Sequence, residues 1–405
     1  MKLLHTSDWH LGRLLYGKKR YSEFAAFLTW LVEIIRTERI DVLIVAGDVF
    51  DTTTPSNQAQ ELYYSFLRAV GNTTCRHVVI TAGNHDSPSF LTAPSALLRC
   101  LNIYVIGAAT HQLSDELLTL TDAQGSPLCI VCAVPYLRDR DLRHAEAGET
   151  LEDKELKLLQ GIQTHYTQLA DLALTTQAQL AQPVPMIATG HLFTSGAQTT
   201  EGDGVRELYV GSLGHIPASA FPPCFDYVAL GHLHVPQIVG GNDTRRYSGS
   251  PLAMGFGEAR QTKSVCVVEW GADAPQVTLI PVPVFQALAQ VRGDLTQLQA
   301  GLRDLIALRQ SVWVEVIYEG EDIIGDLREQ LEVITAESLV EILRIKNTRI
   351  SEQVLQPLQL GESLDDLDTS EVFERCLQAH QVPQPQWADL QLMYKEVVAT
   401  LQHGE

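Results

Sequence analysis

Residues 2–12 read Lys2-Leu3-Leu4-His5-Thr6-Ser7-Asp8-Trp9-His10-Leu11-Gly12. A short apolar run closes on two side chains that can bind a metal, which is the pattern of a buried strand with polar residues at its end. The rhythm recurs along the first hundred residues. Strands are predicted over 2–6, 42–46 and 78–81, each bounded by Gly, Asp or Asn, with amphipathic helices between them at 21–38 and 56–70. Such a βαβαβ series builds parallel strands with right-handed crossovers. In open α/β sheets the ligand sits beyond the carboxyl ends of the strands, and the polar clusters of this sequence lie at those ends.

Further strands are predicted at 129–134, 186–189, 227–230 and 265–270, with a Gln- and Leu-rich helix over 150–180 between the first two. Two strand-rich halves with facing polar ends predict an α/β fold of two stacked β-sheets flanked by helices. Beyond Pro281-Val282-Pro283 a helix at 295–308, a strand at 311–318 and a helix at 323–331 predict a small α+β unit. Segments 369–380 and 387–402 are amphipathic around Pro383-Gln384-Pro385. Val372, Phe373, Cys376 and Leu377 share one face, and Leu390, Met393, Val397 and Leu401 share another. Helices this short are unstable alone and must dock on this chain or on a partner.

The chain has 405 residues, 45% of them hydrophobic and 19% charged, which provides material for a packed core and excludes a disordered polymer. Forty-nine Asp and Glu against 29 Lys and Arg leave a formal charge of −20. That balance excludes wholesale coating of a polyanion, so nucleic acid would be met through a local site or a basic partner. Seven scattered cysteines argue against a disulfide framework. No apolar run reaches the ~18 residues that cross a bilayer, and the opening Met-Lys-Leu-Leu is broken by His5 and Asp8, so a cytoplasmic protein without membrane association is expected.

Five clusters close strands: Asp8-Trp9-His10, Gly47-Asp48-Val49-Phe50-Asp51, Gly83-Asn84-His85-Asp86, Gly190-His191 and Gly231-His232-Leu233-His234. Alternation along an extended chain is expected to put Asp8 and His10 on one side, and His232 with His234 likewise. The glycines before Asp48, Asn84, His191 and His232 allow close backbone approach to a compact ion cluster. Asp8, His10, Asp48, Asn84, His191, His232 and His234 are too many ligands for one tetrahedral zinc and suit two ions sharing a carboxylate. Mixed oxygen and imidazole donors fit Mn, Fe or Zn. With only two carboxylates such a pair stays net positive, attracts phosphate oxygens and acidifies water.

In this order D-x-H, G-D-x-x-D, G-N-H-D, G-H and G-H-x-H resemble the calcineurin-like metallophosphoesterase signature over about residues 1–270. More closely, the runs at 3–12 and 47–51 and Tyr247-Ser248-Gly249-Ser250-Pro251 resemble the SbcD family, the nuclease subunits of bacterial SbcCD complexes. The resemblance implies a four-layer αββα nuclease domain over 1–275, a capping domain over 276–345, and C-terminal helices over 346–405 that bind the coiled-coil base of the SbcC ATPase. It implies two Mn2+ ions, with Mg2+ or another divalent ion as substitutes. Asp8, His10, Asp48 and His234 would hold one ion, and Asp48, Asn84, His191 and His232 the other. His85 would contact the scissile phosphate and protonate the leaving 3′ oxygen, with Asp51 orienting its imidazole or, alternatively, capping the next helix. Asp86 is read as a helix cap.

The same resemblance implies an ATP-dependent 3′–5′ double-strand exonuclease and single-strand or hairpin endonuclease acting in DNA repair and recombination. It also implies a homodimer, formed through helices at 56–70 and 87–101, inside an SbcC2–SbcD2 heterotetramer. Two readings compete: a small-molecule phosphodiesterase of the same superfamily, and a scaffold that has lost catalysis. The units after residue 280 speak against the first, and the full ligand set against the second.

Weaker signals lie nearby. The stretch from Gly12 to Lys19 almost satisfies G-x-x-x-x-G-K-[ST], but Lys19 stands where a hydroxyl must bind magnesium, so a nucleotide site is rejected. Arg13, Tyr16, Lys18, Lys19, Arg20 and Tyr21 instead suggest a DNA-backbone contact or an ordinary solvated loop, and the same holds for Arg138, Arg140 and Arg143. Cys129 and Cys132, inside an apolar strand, are read as core.

Overall fold

The computed structural model describes residues 1–110, 112–142, 149–194, 196–197, 215–271, 274–320, 324, 326–347, and 373, 377, 387, 390, 391 and 394. The chain divides into two compact units, Met1–Ala287 and Leu288–Glu405.

Apolar strand segments of the first unit pair into two six-stranded mixed sheets. One runs in the order Gln276–Pro281, Ser264–Glu269, Lys2–Thr6, Val42–Ala46, His77–Thr81, Ile103–Ile106. Its four N-terminal strands are parallel, as their crossover helices require, and Ser264–Glu269 joins Lys2–Thr6 antiparallel. The second sheet runs Gln237–Val239, Asn242–Tyr247, Tyr227–Gly231, Met186–His191, Pro127–Cys132, Leu117–Thr121. The inner faces bury Leu3, Ile44, Val79 and Val268 from the first sheet against Val131, Ile187, Tyr227 and Ala229 from the second.

Helices cover the outer faces. Tyr21–Thr37 lays Phe24, Phe27, Leu31 and Ile35, all at 0% exposure, on the first sheet. Burying each such side chain contributes about 1.5–3 kcal/mol. Leu151–Ala178, opened by a Thr150–Asp153 capping box, places Ile162, Tyr166, Leu169 and Ala173 on the second. The unit therefore has the two stacked sheets flanked by helices that the strand pattern predicts, in the four-layer αββα arrangement that the resemblance implies.

Several local expectations change. The helix predicted over 87–101 is two short helices, Pro88–Thr92 and Ser95–Arg99, with Pro94 between them; its ring cannot continue the first ladder. Residues 12–19 form a hairpin, Leu14–Leu15 against Lys18–Lys19, turning through Tyr16 and Gly17 at positive φ. It has no phosphate-cradling loop, and Tyr16 stacks on Phe256 with ring centroids 5.6 Å apart. Arg20 is no surface cation: it is buried, donates twice to Glu23 at 2.9 Å and once to the Ala253 carbonyl at 2.8 Å. Cys129 and Cys132 are fully buried in their strand, as read.

In the second unit the strands Ala287–Gly293, Val312–Tyr318 and Val340–Asn347 form one sheet, accompanied by Leu295–Ala307, with an Asp294–Gln297 capping box, and Leu327–Thr335. Most of the two C-terminal segments, and Arg143, lie outside the described residues. Those described there are helical, and the rings of Phe373 and Tyr394 stack with centroids 4.1 Å apart. Among the described residues no helix is long and apolar enough to cross a membrane.

A buried polar contact crosses between the two sheets at His5. The ring Nδ1 of His5, fully buried, lies 2.9 Å from the Tyr227 hydroxyl. Burial, against a backbone hydrogen bond at Leu230 and together with the Arg246 charge, pushes this imidazole down to about 3 from 6.5. The unfolded chain therefore binds a proton at His5 in a window where the folded protein does not, and stability falls as pH drops through it. His5→Gln is expected to remove about 2 kcal/mol of the stability loss between about pH 7 and pH 5. Urea denaturation at both pH values checks this, and equal slopes for the two proteins would refute it.

Candidate metal centre

After the strands Lys2–Thr6 and Val42–Ala46 end, their loops stay paired. The amides of Asp8, His10 and Leu11 donate to the carbonyls of Gly47, Asp48 and Val49 at 3.0, 3.0 and 2.9 Å. Between Asp8 and His10, Trp9 turns the other way into the helix-side core. It sits edge-on to Phe66 and Phe27 at 5.2 and 6.0 Å and donates its indole N–H to Thr6 Oγ1 at 3.0 Å. Asp8 and His10 do converge, but not by strand alternation: their φ angles are 53° and 47°, and those of Asp48 and His232 are 50° and 98°. Left-handed backbone at non-glycine residues costs on the order of 1–3 kcal/mol each and persists where surroundings over-determine it. Gly47, with φ of 86°, and Gly83 have no room for a side chain, since a Cβ would run into the His191 ring and the Asp48 carboxylate respectively.

The expected side chains meet. Asp48 Oδ2 stands 3.6 Å from His10 Nε2 and 3.3 Å from His191 Nε2. His10 Nε2 is 3.1 Å from His234 Nε2, and Asn84 Oδ1 is 3.0 Å from His191 Nε2. Asp8 Oδ1 accepts from the His232 amide at 2.9 Å and Oδ2 from Ser7 Oγ at 2.6 Å. Ligand atoms of Asp8, His10 and His234 lie within 4.8 Å of one another, as do those of Asp8, Asp48 and His191, and of His10, Asp51 and His85. The imidazole Nε2 of His232 is buried without a hydrogen-bond partner, a donor atom left for a cation.

Electrostatics fit the same use. Burial raises the Asp48 carboxyl, but the His191 charge and hydrogen bond, then His10 and His85, outweigh it and hold it well below the ordinary carboxylate range. For Asp8 burial prevails over His191 and His234, and its carboxyl is raised. Burial pulls His191 down, yet Asp48 and then Asp8 bring it up to about 9. Burial, against Asp51 and Asp48, takes His10 down to about 4, and burial with repulsion from His191 takes His232 well below its usual value. The neutral imidazoles of His10 and His232 and the ionised Asp48 carboxylate, crowded together and buried, suit a divalent cation, which on binding would take the place of the proton that Asp48 holds on His191.

Two assignments change around this set. The carboxylate of Asp51 does not orient His85. It faces His10 Nδ1 at 3.4 Å and Arg13 at 3.5 Å, while the Asp51 main-chain carbonyl accepts from His85 Nδ1 at 2.8 Å. Nor does Asp51 cap the following helix, which Ser56 caps. Asp86 is not a helix cap either, because Ser87 takes that place. Asp86 accepts from the amides of Val49, Phe50 and Gly83 at 3.1, 2.9 and 2.9 Å, joining the loop of Asp48 to that of Asn84 and His85. Sequence reasoning also passed over Glu258, whose carboxylate lies 3.7 Å from His234 Nδ1, because no motif marks it.

Asp86→Ala leaves three buried amides without an acceptor. A loss of about 2 kcal/mol in stability is expected, together with weaker divalent-cation binding. Urea denaturation and a manganese titration measure the two effects, and a variant unchanged in both would refute the tie.

A family model of calcineurin-like phosphoesterases matches residues 1–236, and one described as the type 5 capsule protein repressor C-terminal domain matches residues 284–381. The chain is 37% identical over 404 residues to the SbcD subunit of nuclease SbcCD from Escherichia coli strain K12, covering 99% of this chain and 98% of that protein. It is 36% identical over 319 residues to the SbcD subunit of the same nuclease from Rhodobacter capsulatus, covering 76% of each. It is 35% identical over 271 residues to the one from Bacillus subtilis, covering 66% of each. Likeness along nearly the whole chain, joined to groups of side chains at the sheet ends that can hold a cation, makes this protein a metal-dependent phosphodiester hydrolase belonging to the SbcD family of calcineurin-like nuclease subunits.

Proposed function

We propose that the centre holds two manganese ions, with magnesium or another divalent ion able to substitute. Asp8, His10, Asp48 and His234 are assigned to one, and Asp48, Asn84, His191 and His232 to the other. The observation that carries this reading is Asp48 Oδ2 standing between His10 Nε2 and His191 Nε2, at 3.6 and 3.3 Å. Bound there, the ions supply positive charge to the phosphate oxygens and an acidified water.

The chain's own residues orient and protonate. A carbonyl can only accept, so the 2.8 Å contact to the Asp51 carbonyl holds one proton of His85 on Nδ1 and turns Nε2 toward the phosphate. There the doubly protonated imidazolium gives its Nε2 proton to the leaving oxygen and remains as the neutral Nδ1–H tautomer. Asp51 itself acts one step back, with its carboxylate on His10. DNA as substrate is supported by Arg13 and the Lys18–Lys19 strand on the hairpin next to Asp51, and by the names of the relatives, which are nuclease subunits.

The same names support SbcC as the partner. With ATP and SbcC, the reading is a double-strand 3′–5′ exonuclease and a hairpin or single-strand endonuclease in repair and recombination. The nuclease part, expected over 1–275, is assigned to the first unit, Met1–Ala287, because Gln276–Pro281 pairs into its sheet. Of the cap expected over 276–345 the residues from 288 on are kept, and SbcC binding is assigned to 346–405. Six described cysteines are free thiols, which supports the cytoplasm as compartment.

A two-fold SbcD dimer is assigned to Asn57–Val70 and the segment after Ser87, where Tyr64, Leu97 and Leu101 are 37%, 68% and 63% exposed. Leu97→Glu with Leu101→Glu is expected to convert a dimer to a monomer in sedimentation, and a wild-type monomer would refute the interface.

The catalytic reading is tested with a labelled hairpin-ended duplex and manganese, with and without SbcC and ATP. His85→Ala is expected to lower cleavage by about 10²–10⁴-fold while manganese binding persists. Hydrolysis of bis-p-nitrophenyl phosphate with no DNA cut under any condition would overturn the DNA assignment.

A further inference from the structure

Glu258 ends a short 3-10 helix, Phe256–Glu258, and is 0% exposed. Its Oε2 is occupied: the ammonium of Lys263, 6% exposed, pairs with it, and the Met254 amide donates to it at 3.0 Å. Its Oε1 has no hydrogen-bond partner and lies 3.7 Å from His234 Nδ1. The same Lys263 ammonium donates to the His234 main-chain carbonyl at 2.9 Å. One buried ion pair thus grips His234 at its backbone and faces its ring. On the opposite side of that ring, Nε2 looks into the centre, 3.1 Å from His10 Nε2.

A buried ion pair is seldom more stabilising than apolar side chains of the same volume, so stability gives no reason to keep this one. Orientation does. A carboxylate facing the outer nitrogen of a metal-binding histidine sets its tautomer and ring angle and raises the basicity of the inner nitrogen. We propose that Glu258, held by Lys263, is the positioning residue of His234, so that this pair sets the affinity of the cation site to which His234 belongs. The inference rests on the reading of His234 as a ligand.

Two variants test it. Glu258→Gln keeps shape and can keep its oxygen on Lys263 and Met254, which turns an amide N–H2 toward His234 Nδ1. Glu258→Leu with Lys263→Met removes both charges together, and the His234 carbonyl retains the Ser250 amide at 3.2 Å. Manganese is titrated by calorimetry into metal-free wild type and variants, whose melting is compared without metal, and the loaded proteins are followed by electron paramagnetic resonance. The expected result is one of two sites weakened by about 10–100-fold with the other unchanged. The spin-coupled signal of a manganese pair should then give way to that of an isolated ion at concentrations that saturate wild type. Wild-type affinity at both sites in either variant would overturn the proposal, as would equal weakening of both sites, the mark of general loosening. A wild type that binds no manganese would instead overturn the metal assignment itself, and this inference with it.

Discussion

Asp48 is the point on which the molecule's chemistry turns. Its carboxylate is buried, and a buried carboxylate is costly unless its charge is met. In this fold it is met by the imidazoles of His10 and His191 and by the His85 amide, which donates to its Oδ1 at 2.9 Å. Those partners come from two loops and the end of one strand, and from both sheets. The stacking of the sheets is therefore what makes the charge tolerable, and the charge is what makes the stacked ends chemically useful.

Backbone carries much of the burden. Four residues of the centre take left-handed φ angles, and they are held by hydrogen bonds that pass between loops instead of within strands. Trp9 anchors one loop in the core, and Asp86 ties two others through three amides. The side chains of the site are thus placed by the protein's own hydrogen bonds, and placement of this kind is what catalysis by charge requires.

The outer nitrogens of the histidines are also managed. His191 Nδ1 lies 3.1 Å from the Ala46 carbonyl and His85 Nδ1 2.8 Å from that of Asp51, while His10 and His234 face the carboxylates of Asp51 and Glu258. Each contact leaves the inner nitrogen for the centre. Main-chain carbonyls and carboxylates serve the same purpose, and that equivalence is why sequence assigns the wrong group of Asp51 to His85: its carbonyl does what its carboxylate is expected to do.

The apolar runs before Asp8, Asp48, Asn84, His191 and His232, and the helical periodicity between them, were sufficient to define the strands, their parallel order and the residues that gather at their ends. These are local properties, since burial of a strand and the turn after it are encoded within a few residues. The order of the motifs along the chain also carried the family. What tertiary structure alone decided is how the side chains come to face one another. Asp8 and His10 converge through positive φ and a buried Trp9 between them, not through alternation, and no period in the sequence records a left-handed residue that is not glycine. Asp86 became a tie between loops and Ser87 the cap because acceptors go to whichever buried amides the fold leaves unpaired. Glu258 and Lys263, well beyond His234 in the chain and outside any motif, reach it only because the chain folds back. Contacts of that kind depend on distance in space, which spacing along a chain does not measure.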